Sequence, residues 1–274
     1  MHKVILSVAP VSPSQTLIDP QAIAEDVLEC SRLGAAMVHL HARDLHGKLT
    51  PDLTVLQQTV ELIRKKSDII IEVSTGGVSN LTIEERCQPC FAPYVEANSL
   101  NVGSVNLGEA VYLNPIRDVR YCVEKIQENH KHPDTEVFEM GMLSTLKDLD
   151  EQFHLPRPLM ITLVHGFQGA VPATEAALKH MIAAAEETFP GDEYLWGFTQ
   201  ANRQDWAMME TAIRLGTSLI RVGFEDSRCL APGQDAQNNA ELIARVAELV
   251  RRNGGKTMTA AEARAALRFS PTAE

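Results

Sequence analysis

The sequence predicts an α/β fold, specifically a closed (β/α)8 or TIM barrel, from three features of the chain. Short apolar runs typical of buried strands alternate eight times with amphipathic segments typical of helices. The length of 274 residues is close to the ~250 residues of a typical barrel. Proline begins several helical segments and glycine follows others, as at Pro20 and Gly34. A doubly wound sheet is the alternative, but no GxGxxG motif follows the first predicted strand.

The elements follow one another in strict alternation along the chain. Strands are predicted at Val4–Ala9, Met37–His41, Ile69–Ser74, Ser99–Val102, Thr135–Phe138, Met160–Val164, Tyr194–Phe198 and Ser218–Val222. Helices are predicted at Pro20–Leu33, Pro51–Lys66, Thr82–Phe91, Pro115–Asn129, Met142–Gln152, Thr174–Glu187, Arg203–Leu215 and Ala236–Arg252. A short tail helix within Thr257–Phe269 begins with a capping box, Thr259 to Glu262. With no linker or repeat in view, we expect one domain over residues 1–274.

Composition restricts the class of function. Hydrophobic residues make up 45% and charged residues 22%, which is typical of a globular enzyme with a substantial core. The net charge of −11 argues against nucleic acid or an anionic membrane as a partner. The apolar run at the start of the chain is too short for a secretory signal. No run of about 18 apolar residues that could span a membrane is present in the sequence. Five scattered cysteines, with one CxxC at Cys87 and Cys90, are interpreted as reduced, so we expect a cytoplasmic protein.

Two histidines at the end of the second predicted strand are the main candidates for chemistry. His39 and His41 alternate along this strand, so both imidazoles point to the same face. Glu225 follows the eighth strand, which is two strands away around a closed barrel, and Arg221 shares its strand parity. Two histidines and one carboxylate are a common ligand set for a catalytic zinc with an open position. The sequence therefore predicts a divalent metal site at the carboxyl ends of the strands, where barrel active sites lie.

Other polar residues stand at the ends of neighbouring strands. The run Ser74-Thr75-Gly76-Gly77 offers a hydroxyl and open backbone N–H groups, either to cradle an anion or only to form a tight turn. Ser99 and Asn101 make the fourth strand unusually polar, so they are predicted to face the pocket. Glu136 lies within the fifth predicted strand and Glu139 just after it, and either could be a base at the mouth or form a structural ion pair. His130-Lys131-His132 is interpreted as the cationic end of a helix, and His165 as a candidate pocket residue.

Four ordered blocks of the chain resemble the β-keto acid cleavage enzymes, a family formerly described as a domain of unknown function. The blocks lie at residues 34–44, 74–77, 100–108 and 220–226. The resemblance implies a zinc-dependent TIM barrel that converts a β-keto acid and acetyl-CoA into acetoacetate and a new acyl-CoA. It implies zinc ligation by His39, His41 and Glu225, and a homotetramer. It also implies binding of the keto acid by Ser74, Gly77 and Ser99, and catalysis by Arg221 and Asp226 with Glu136 as a possible base.

One position departs from the family member that uses an amino substrate. That member has an acidic residue after the first strand, whereas this chain has Ser14 within Pro10–Thr16. A carboxylate suits a substrate ammonium group, and a hydroxyl does not reward one in the same way. We therefore expect a substrate without the 5-amino group, bound near Ser14.

Two other classes of function compete with this interpretation. A metal-dependent hydrolase of the amidohydrolase type also uses an HxH pair, with zinc activating water. That class has the pair on the first strand and further histidines at later strand ends, unlike this chain. A binding protein with a structural zinc is the third option, but structural zinc sites are usually closed by four protein ligands.

Overall fold

The computed structural model describes residues 1–191 and 194–269 and shows the predicted closed barrel. Eight parallel strands form it: β1 Lys3–Val8, β2 Met37–Leu40, β3 Ile70–Ser74, β4 Ala97–Asn101, β5 His132–Val137, β6 Leu159–His165, β7 Tyr194–Gln200 and β8 Leu219–Val222. Each strand pairs with the next, and β8 pairs with β1 through the register Ile5 to Leu219. This last pairing closes the sheet and excludes the doubly wound alternative.

Helices follow the strands on the outside of the barrel. They are α1 Pro20–Arg32, α2 Thr54–Arg64, α3 Ile83–Arg86, α4 Ile116–Glu128, α5 Gly141–Phe153, α6 Glu175–Thr188, α7 Ala207–Arg214, α8 Asn239–Arg252 and α9 Ala260–Leu267. The predicted helix over 82–91 is divided into α3 and a 3-10 helix, Gln88–Phe91, because Pro89 cannot supply the N–H that would continue the α-helix. Among the described residues, no helix has the length and apolar character needed to cross a bilayer.

Two antiparallel hairpins extend the carboxyl ends of the barrel and were not predicted. One joins Val105–Leu107 to Ala110–Tyr112 after β4, and the other joins Cys229–Ala231 to Gln234–Asp235 after β8. Both strands of each are only two or three residues long, which is too short for a periodic pattern to be recognised. They place additional loops over the end of the barrel at which the active site is expected.

The interpretation of His130-Lys131-His132 as a helix end is wrong in part. The helix α4 ends at Glu128, and His130 takes a left-handed conformation with φ of 55°. His132 is the first residue of β5, where it is buried and packs its ring 4.9 Å from that of Phe269. Burial lowers the pKa of His132 to about 4, so it is not a cation at neutral pH. It is a core residue at the amino-terminal end of the barrel.

The inward-facing side chains form two layers, an apolar floor at one end of the barrel and a polar layer nearer the carboxyl ends of the strands. The floor is a buried cluster that includes Ile5, Met37, Ile70, Met160 and Leu219. The tail helix α9 closes this end with Ala263 and Leu267, and it begins with the predicted capping box. Interior positions nearer the carboxyl ends of the barrel strands carry His39, Glu72, Ser74, Asp134, Thr162 and Arg221, all of them buried. The functional polar groups are therefore collected at the carboxyl ends.

The buried histidine at the barrel floor predicts a specific acid sensitivity. The unfolded chain binds a proton at His132 below its ordinary pKa of 6.5, but the folded chain does so only near pH 4. Stability is therefore retained above pH 6.5 and falls as the pH drops from 6.5 to 4, by roughly 1.4 kcal/mol per pH unit. We expect His132→Leu to show a smaller loss of stability over this range, measured by denaturant unfolding.

The control for His132→Leu is a substitution at a histidine that is exposed to solvent. His180 is exposed on α6, so His180→Gln is expected to follow the wild-type pH profile. An unchanged profile for His132→Leu would show that this histidine does not couple folding to protons.

Candidate active site

His39, His41 and Glu225 converge at the carboxyl ends of β2 and β8, as predicted. The Nε2 atoms of the two histidines lie 3.3 Å apart. The Glu225 carboxylate lies 3.5 Å from His39 Nε2 and 3.3 Å from His41 Nε2. All three ligand atoms fall within 4.8 Å of one another, which fits coordination of a single ion. His39 is only 2% exposed, so the cluster is shielded from bulk water on its inner side.

Both imidazoles are held so that Nε2 faces the centre of the cluster. His39 Nδ1 donates to the Glu72 carboxylate, and His41 Nδ1 donates to the Gly76 carbonyl at 3.1 Å. Such partners set the tautomer and orientation of metal-binding histidines. Glu72 lies on β3 directly beside His39 in the strand register and is 1% exposed. The sequence analysis did not assign it a role, although a glutamate in an otherwise apolar strand was a usable signal.

Loss of the Glu72 carboxylate is expected to weaken the metal site without removing a ligand. Glu72→Gln keeps the size of the side chain but removes the negative charge that supports His39. We expect metal affinity to fall by about 10- to 100-fold, measured by competition with a chelator. Glu96→Gln is a control, because Glu96 is a partly buried glutamate that pairs instead with Arg64 and Arg264. Equal affinities for Glu72→Gln and wild type would contradict this role.

A tight turn after β8, rather than strand alternation, brings Glu225 to the site. The strand ends at Val222, and the Asp226 N–H then donates to the Gly223 carbonyl at 3.0 Å. A Cβ atom on Gly223 would lie 2.1 Å from the Ala9 carbonyl oxygen, so only glycine fits there. The Glu225 N–H donates to the same Ala9 oxygen at 3.1 Å. As a result, the consecutive side chains Glu225 and Asp226 both face the site, which strand parity does not predict.

Arg221 holds several carboxylates beside the metal cluster. Its Nη2 lies 2.9 Å from Asp226 Oδ1, and its Nε lies 3.3 Å from Asp226 Oδ2, which makes a bidentate pair. Its Nη1 donates to Glu136 Oε1 at 2.7 Å, and its Nη2 lies 3.8 Å from Glu225 Oε1. Residues Arg221, Asp226 and Glu136 are all nearly inaccessible to solvent. The structure thus joins the three predicted catalytic residues in one buried network.

The electrostatics of this network favour ionised partners. Burial lowers the pKa of His39, but the adjacent Glu225 carboxylate outweighs it and raises that pKa to about 10. Burial alone would raise the pKa of Glu225, yet the two imidazoles hold it well below its usual range. The same carboxylate therefore attracts positive charge at the point where a divalent cation would bind. Asp134 is different, because burial and the nearby Glu72 and Glu136 raise its pKa well above the ordinary value.

The serines of β3 and β4 and the glycines that follow β3 lie beside the candidate metal cluster. Ser99 Oγ donates to Ser74 Oγ at 3.1 Å, so these two predicted residues form one pair. A Cβ atom on Gly77 would lie 4.0 Å from His41 Cε1, which places this glycine beside the metal ligands. A Cβ on Gly76 would overlap the hydroxyl of Tyr112, a residue of the unpredicted hairpin. Glycine is therefore required at position 76 by the close approach of the hairpin.

Three other candidate residues are not joined to this cluster. The Ser14 hydroxyl is exposed and lies 3.0 Å from the Ser12 hydroxyl of its own loop. Glu139 is exposed beyond the end of β5. His165 packs its ring 5.4 Å from Phe198, and its Nδ1 donates to the Pro172 carbonyl at 3.1 Å. Side chains along β6 alternate between the barrel interior, which Thr162 faces, and the surrounding helices. His165 has the opposite parity and therefore points outward to the helices, contrary to the predicted pocket position.

A closed parallel barrel with a candidate metal cluster and a buried arginine–carboxylate network at its carboxyl ends defines a TIM-barrel enzyme. The family within that class follows from sequence comparison. A model of the beta-keto acid cleavage enzyme family matches residues 3–269, and the chain belongs to that family. This result confirms the resemblance found in the sequence and gives no support to the hydrolase interpretation.

Several characterised relatives align over most of their length. The chain is 28% identical to the 3,5-dioxohexanoate:acetyl-CoA acetone transferase of Paraburkholderia graminis, over 99% of this chain and 97% of the relative. It is 30% identical to the 3-keto-5-aminohexanoate cleavage enzyme of Fusobacterium nucleatum, over 89% and 87% of the two chains. It is 28% identical to the 3-oxoadipate:acetyl-CoA acetyltransferase of Cupriavidus necator, over 94% and 87%.

A solved structure shares the fold. The apo structure of ObcA superposes with a TM-score of 0.79 at 19% sequence identity. The alignment covers 93% of this chain but 65% of ObcA, so the present chain spans about two thirds of that protein. At this identity the similarity supports the barrel architecture alone.

Proposed function

We propose that this protein is a zinc-dependent acyltransferase that cleaves a β-keto acid. The reaction would convert a β-keto acid and acetyl-CoA into acetoacetate and a new acyl-CoA. The observation that carries the proposal is the convergence of His39, His41 and Glu225 beside the buried Arg221–Asp226 pair. Family membership and the acetyl-CoA in the names of two relatives support the choice of co-substrate.

The residues present fit a divalent metal. Three ligand atoms lie within 4.8 Å of one another, and each histidine presents Nε2 because its Nδ1 is occupied. Ligation by three protein residues leaves a position for substrate, and zinc when bound would supply a Lewis acid for the ketone oxygen. Other divalent ions also accept this donor set. We assign zinc on the ligand chemistry, and metal analysis of the purified protein tests it.

The hydroxyl pair and the glycine loop are assigned to the carboxylate of the keto acid. Ser74 and Ser99 lie beside the metal ligands on neighbouring strands, and their hydroxyls can turn to donate to an anion. Gly77 leaves the backbone approach open at the same place. This arrangement would hold the carboxylate while the adjacent ketone faces the metal ligands.

Proton transfer at C2 of the keto acid is assigned to Asp226. Its carboxylate is held by two nitrogen atoms of Arg221, which fixes its position next to Glu225. A base must lie within hydrogen-bond reach of the carbon acid, and a preset orientation lowers the cost of reaching that geometry. Glu136 anchors the opposite side of Arg221 and keeps the guanidinium in place. The enolate would then attack the thioester carbonyl, and the displaced CoA thiolate would attack the original ketone in the retro-Claisen step.

We assign the substituent at the end of the substrate away from its carboxylate from the loop after β1. Ser14 stands where an acidic residue would suit an ammonium group, and it offers no negative charge. The relatives named above differ in this end group, so family membership alone does not choose among them. We propose a β-keto acid without a 5-amino group.

The proposal is tested with zinc-loaded protein, acetyl-CoA and a panel of β-keto acids that differ in their end groups. We expect formation of acetoacetate and the matching acyl-CoA, with 5-amino-3-keto acids among the poorer substrates. Absence of acyl transfer with every member of the panel would overturn the reaction. A preference for the 5-amino compound would overturn only the assignment at Ser14. A homotetramer, proposed on the family resemblance, is tested by light scattering on the same sample.

A further inference from the structure

Three of the five cysteines form a buried thiol cluster that the proposed function does not use. Cys87 and Cys90 are the CxxC pair found in the sequence, and Cys122 lies on α4. Cys87 Sγ lies 3.3 Å from Cys122 Sγ, although the two residues are 35 positions apart in the chain. All three thiols are free and buried. The tertiary structure therefore pairs Cys87 with a cysteine that no sequence motif indicated.

Burial protects both thiols of this pair while the cluster is closed. The hydrogen bond with Cys122 lowers the pKa of Cys87, but the Cys90 thiol and burial outweigh it and raise that pKa. The hydrogen bond with Cys87 and burial raise the pKa of Cys122 well above its usual value. The thiolate is the form that attacks an oxidant. Oxidation of the pair therefore requires a local opening that admits water and the oxidant.

The segment that carries Cys87 is the part of the cluster able to open. The helix α3, which Cys87 ends, has four residues, and none of them is buried. A capping box stabilises its start, where Thr82 Oγ1 accepts the Glu85 N–H at 3.3 Å and Glu85 Oε2 accepts the Thr82 N–H at 2.8 Å. The partner helix α4 is longer and has four buried residues. Segments with few buried contacts open at a lower free energy than the core, so opening exposes Cys87 first.

A displacement at Cys87 reaches the proposed substrate site through the adjacent residue, Arg86. The Arg86 Nε donates to the Thr75 carbonyl at 3.0 Å, while other nitrogen atoms of the same guanidinium hold the segment after β4. Thr75 follows Ser74, and its hydroxyl donates to the Ser99 carbonyl at 2.7 Å. A disulfide would draw the two sulfur atoms closer together than their present contact. The short segment of α3 would move with Cys87, and Arg86 would carry that movement to the loop that begins at Ser74.

We propose that Cys87 and Cys122 are a redox-active dithiol that a peroxide converts into a disulfide, and that this bond shifts the loop of residues 74–77. In the open segment the Cys87 thiolate attacks a peroxide oxygen, the O–O bond breaks, and the released hydroxide takes up a proton to become water. The product is a sulfenic acid at Cys87. After the segment closes, the Cys122 sulfur attacks the Cys87 sulfur, the S–O bond breaks, and hydroxide leaves with the Cys122 proton as a second water. Two thiols are thereby oxidised and one hydrogen peroxide is reduced, and an added dithiol reverses the bond by exchange.

The disulfide is tested by treating the folded, full-length protein with hydrogen peroxide. We expect peptide mapping without reductant to join the peptide of Cys87 to that of Cys122, with the loss of two hydrogen atoms. Cys122→Ser and Cys122→Ala are both expected to stop at oxygen adducts of Cys87. Cys30→Ser is the matched control, because Cys30 is equally buried on α1, and it should form the wild-type disulfide. A bond between Cys87 and Cys90, or no bond in the folded protein, would overturn the pairing.

Thr82→Ala tests the route through local opening, because it removes the cap of α3 and leaves every cysteine in place. We expect disulfide formation to become about fivefold faster, the effect of losing one helix cap on the population of the open segment. Thr259→Ala removes the same type of capping box from α9 and should oxidise at the wild-type rate. An unchanged rate in Thr82→Ala, or an equal acceleration in both variants, would overturn this route.

The effect on the loop is measured in the reduced and the disulfide forms of the wild-type protein. We expect faster hydrogen–deuterium exchange in the peptide that contains residues 74–77, and acyl transfer slower by about 10- to 100-fold, in the disulfide form. Reduction by a dithiol should restore both. The change in acyl transfer rests on the proposed function, whereas the disulfide and the loop exchange do not. Equal loop exchange in the two forms would overturn the coupling, and a reduced protein without acyl transfer would overturn the proposed function alone.

Discussion

Replacement of His41 by alanine is expected to release the divalent metal and to lower acyl transfer by about 10³-fold. His41 Nε2 lies 3.3 Å from both His39 Nε2 and Glu225 Oε2, so its loss leaves two ligands and an open side. A Lewis acid contributes several kcal/mol to a charged transition state, and each 1.36 kcal/mol corresponds to a factor of ten. Metal content by mass spectrometry and steady-state turnover measure the two effects.

His46→Ala is the control for His41→Ala. His46 lies five residues further along, exposed in the loop that follows β2. The His46→Ala protein should bind metal and turn over substrate like wild type. Full activity of a metal-depleted His41→Ala protein would remove the metal from the mechanism. Retention of the metal with full activity would show that His41 is not a ligand.

Replacement of Asp226 by asparagine is expected to reduce turnover by about 10²- to 10⁴-fold while the metal stays bound. Asparagine has nearly the same shape, but it lacks the charge that pairs with Arg221 and cannot accept a proton at neutral pH. His39, His41 and Glu225 are untouched by the change. Turnover, metal content and exchange of the C2 protons of the keto acid with D2O together separate loss of the base from loss of the metal site. Because a broken buried ion pair is destabilising, unfolding is measured as well.

Asp134→Asn is the matched control for Asp226→Asn. Asp134 is also buried in the polar layer, where it accepts a hydrogen bond from Thr162 at 2.7 Å. Burial together with Glu72 and Glu136 raises its pKa well above the ordinary value, so an amide is expected to disturb this position less than it disturbs Asp226. We expect a small change in turnover for this variant. Unchanged turnover in Asp226→Asn would instead remove Asp226 from proton transfer.

The barrel and its candidate metal ligands were largely predictable because they depend on local and periodic information. Alternating apolar runs predicted the order of eight strands, although β4 and β5 begin two and three residues earlier than expected. The alternation of His39 and His41 alone places both imidazoles on one face, whatever the rest of the chain does. Closure of the barrel through the pairing of β8 with β1 brought the end of β8 beside them, and the turn at Gly223 then directed Glu225 to the site.

The interactions that give these residues their chemistry were not predictable in the same way. Glu72 supports His39 because β2 and β3 pair in a particular register, and a shift of one residue would have turned Glu72 outward. Glu136 meets Arg221 across the barrel, from residues 85 positions apart in the chain. Neither contact has a sequence signature, since each depends on strand tilt, barrel diameter and side-chain length.

The sequence by itself therefore predicted the barrel, the family and the candidate cluster of His39, His41 and Glu225, because strand alternation and short sequence blocks are visible in the chain itself. Only the tertiary structure decided which carboxylates are paired with Arg221 and which one has a raised pKa. It also placed Glu225 and Asp226 on one turn. The physical reason is that pairing, burial and pKa depend on distances of a few ångströms between strands, and those distances exist only after the barrel has closed.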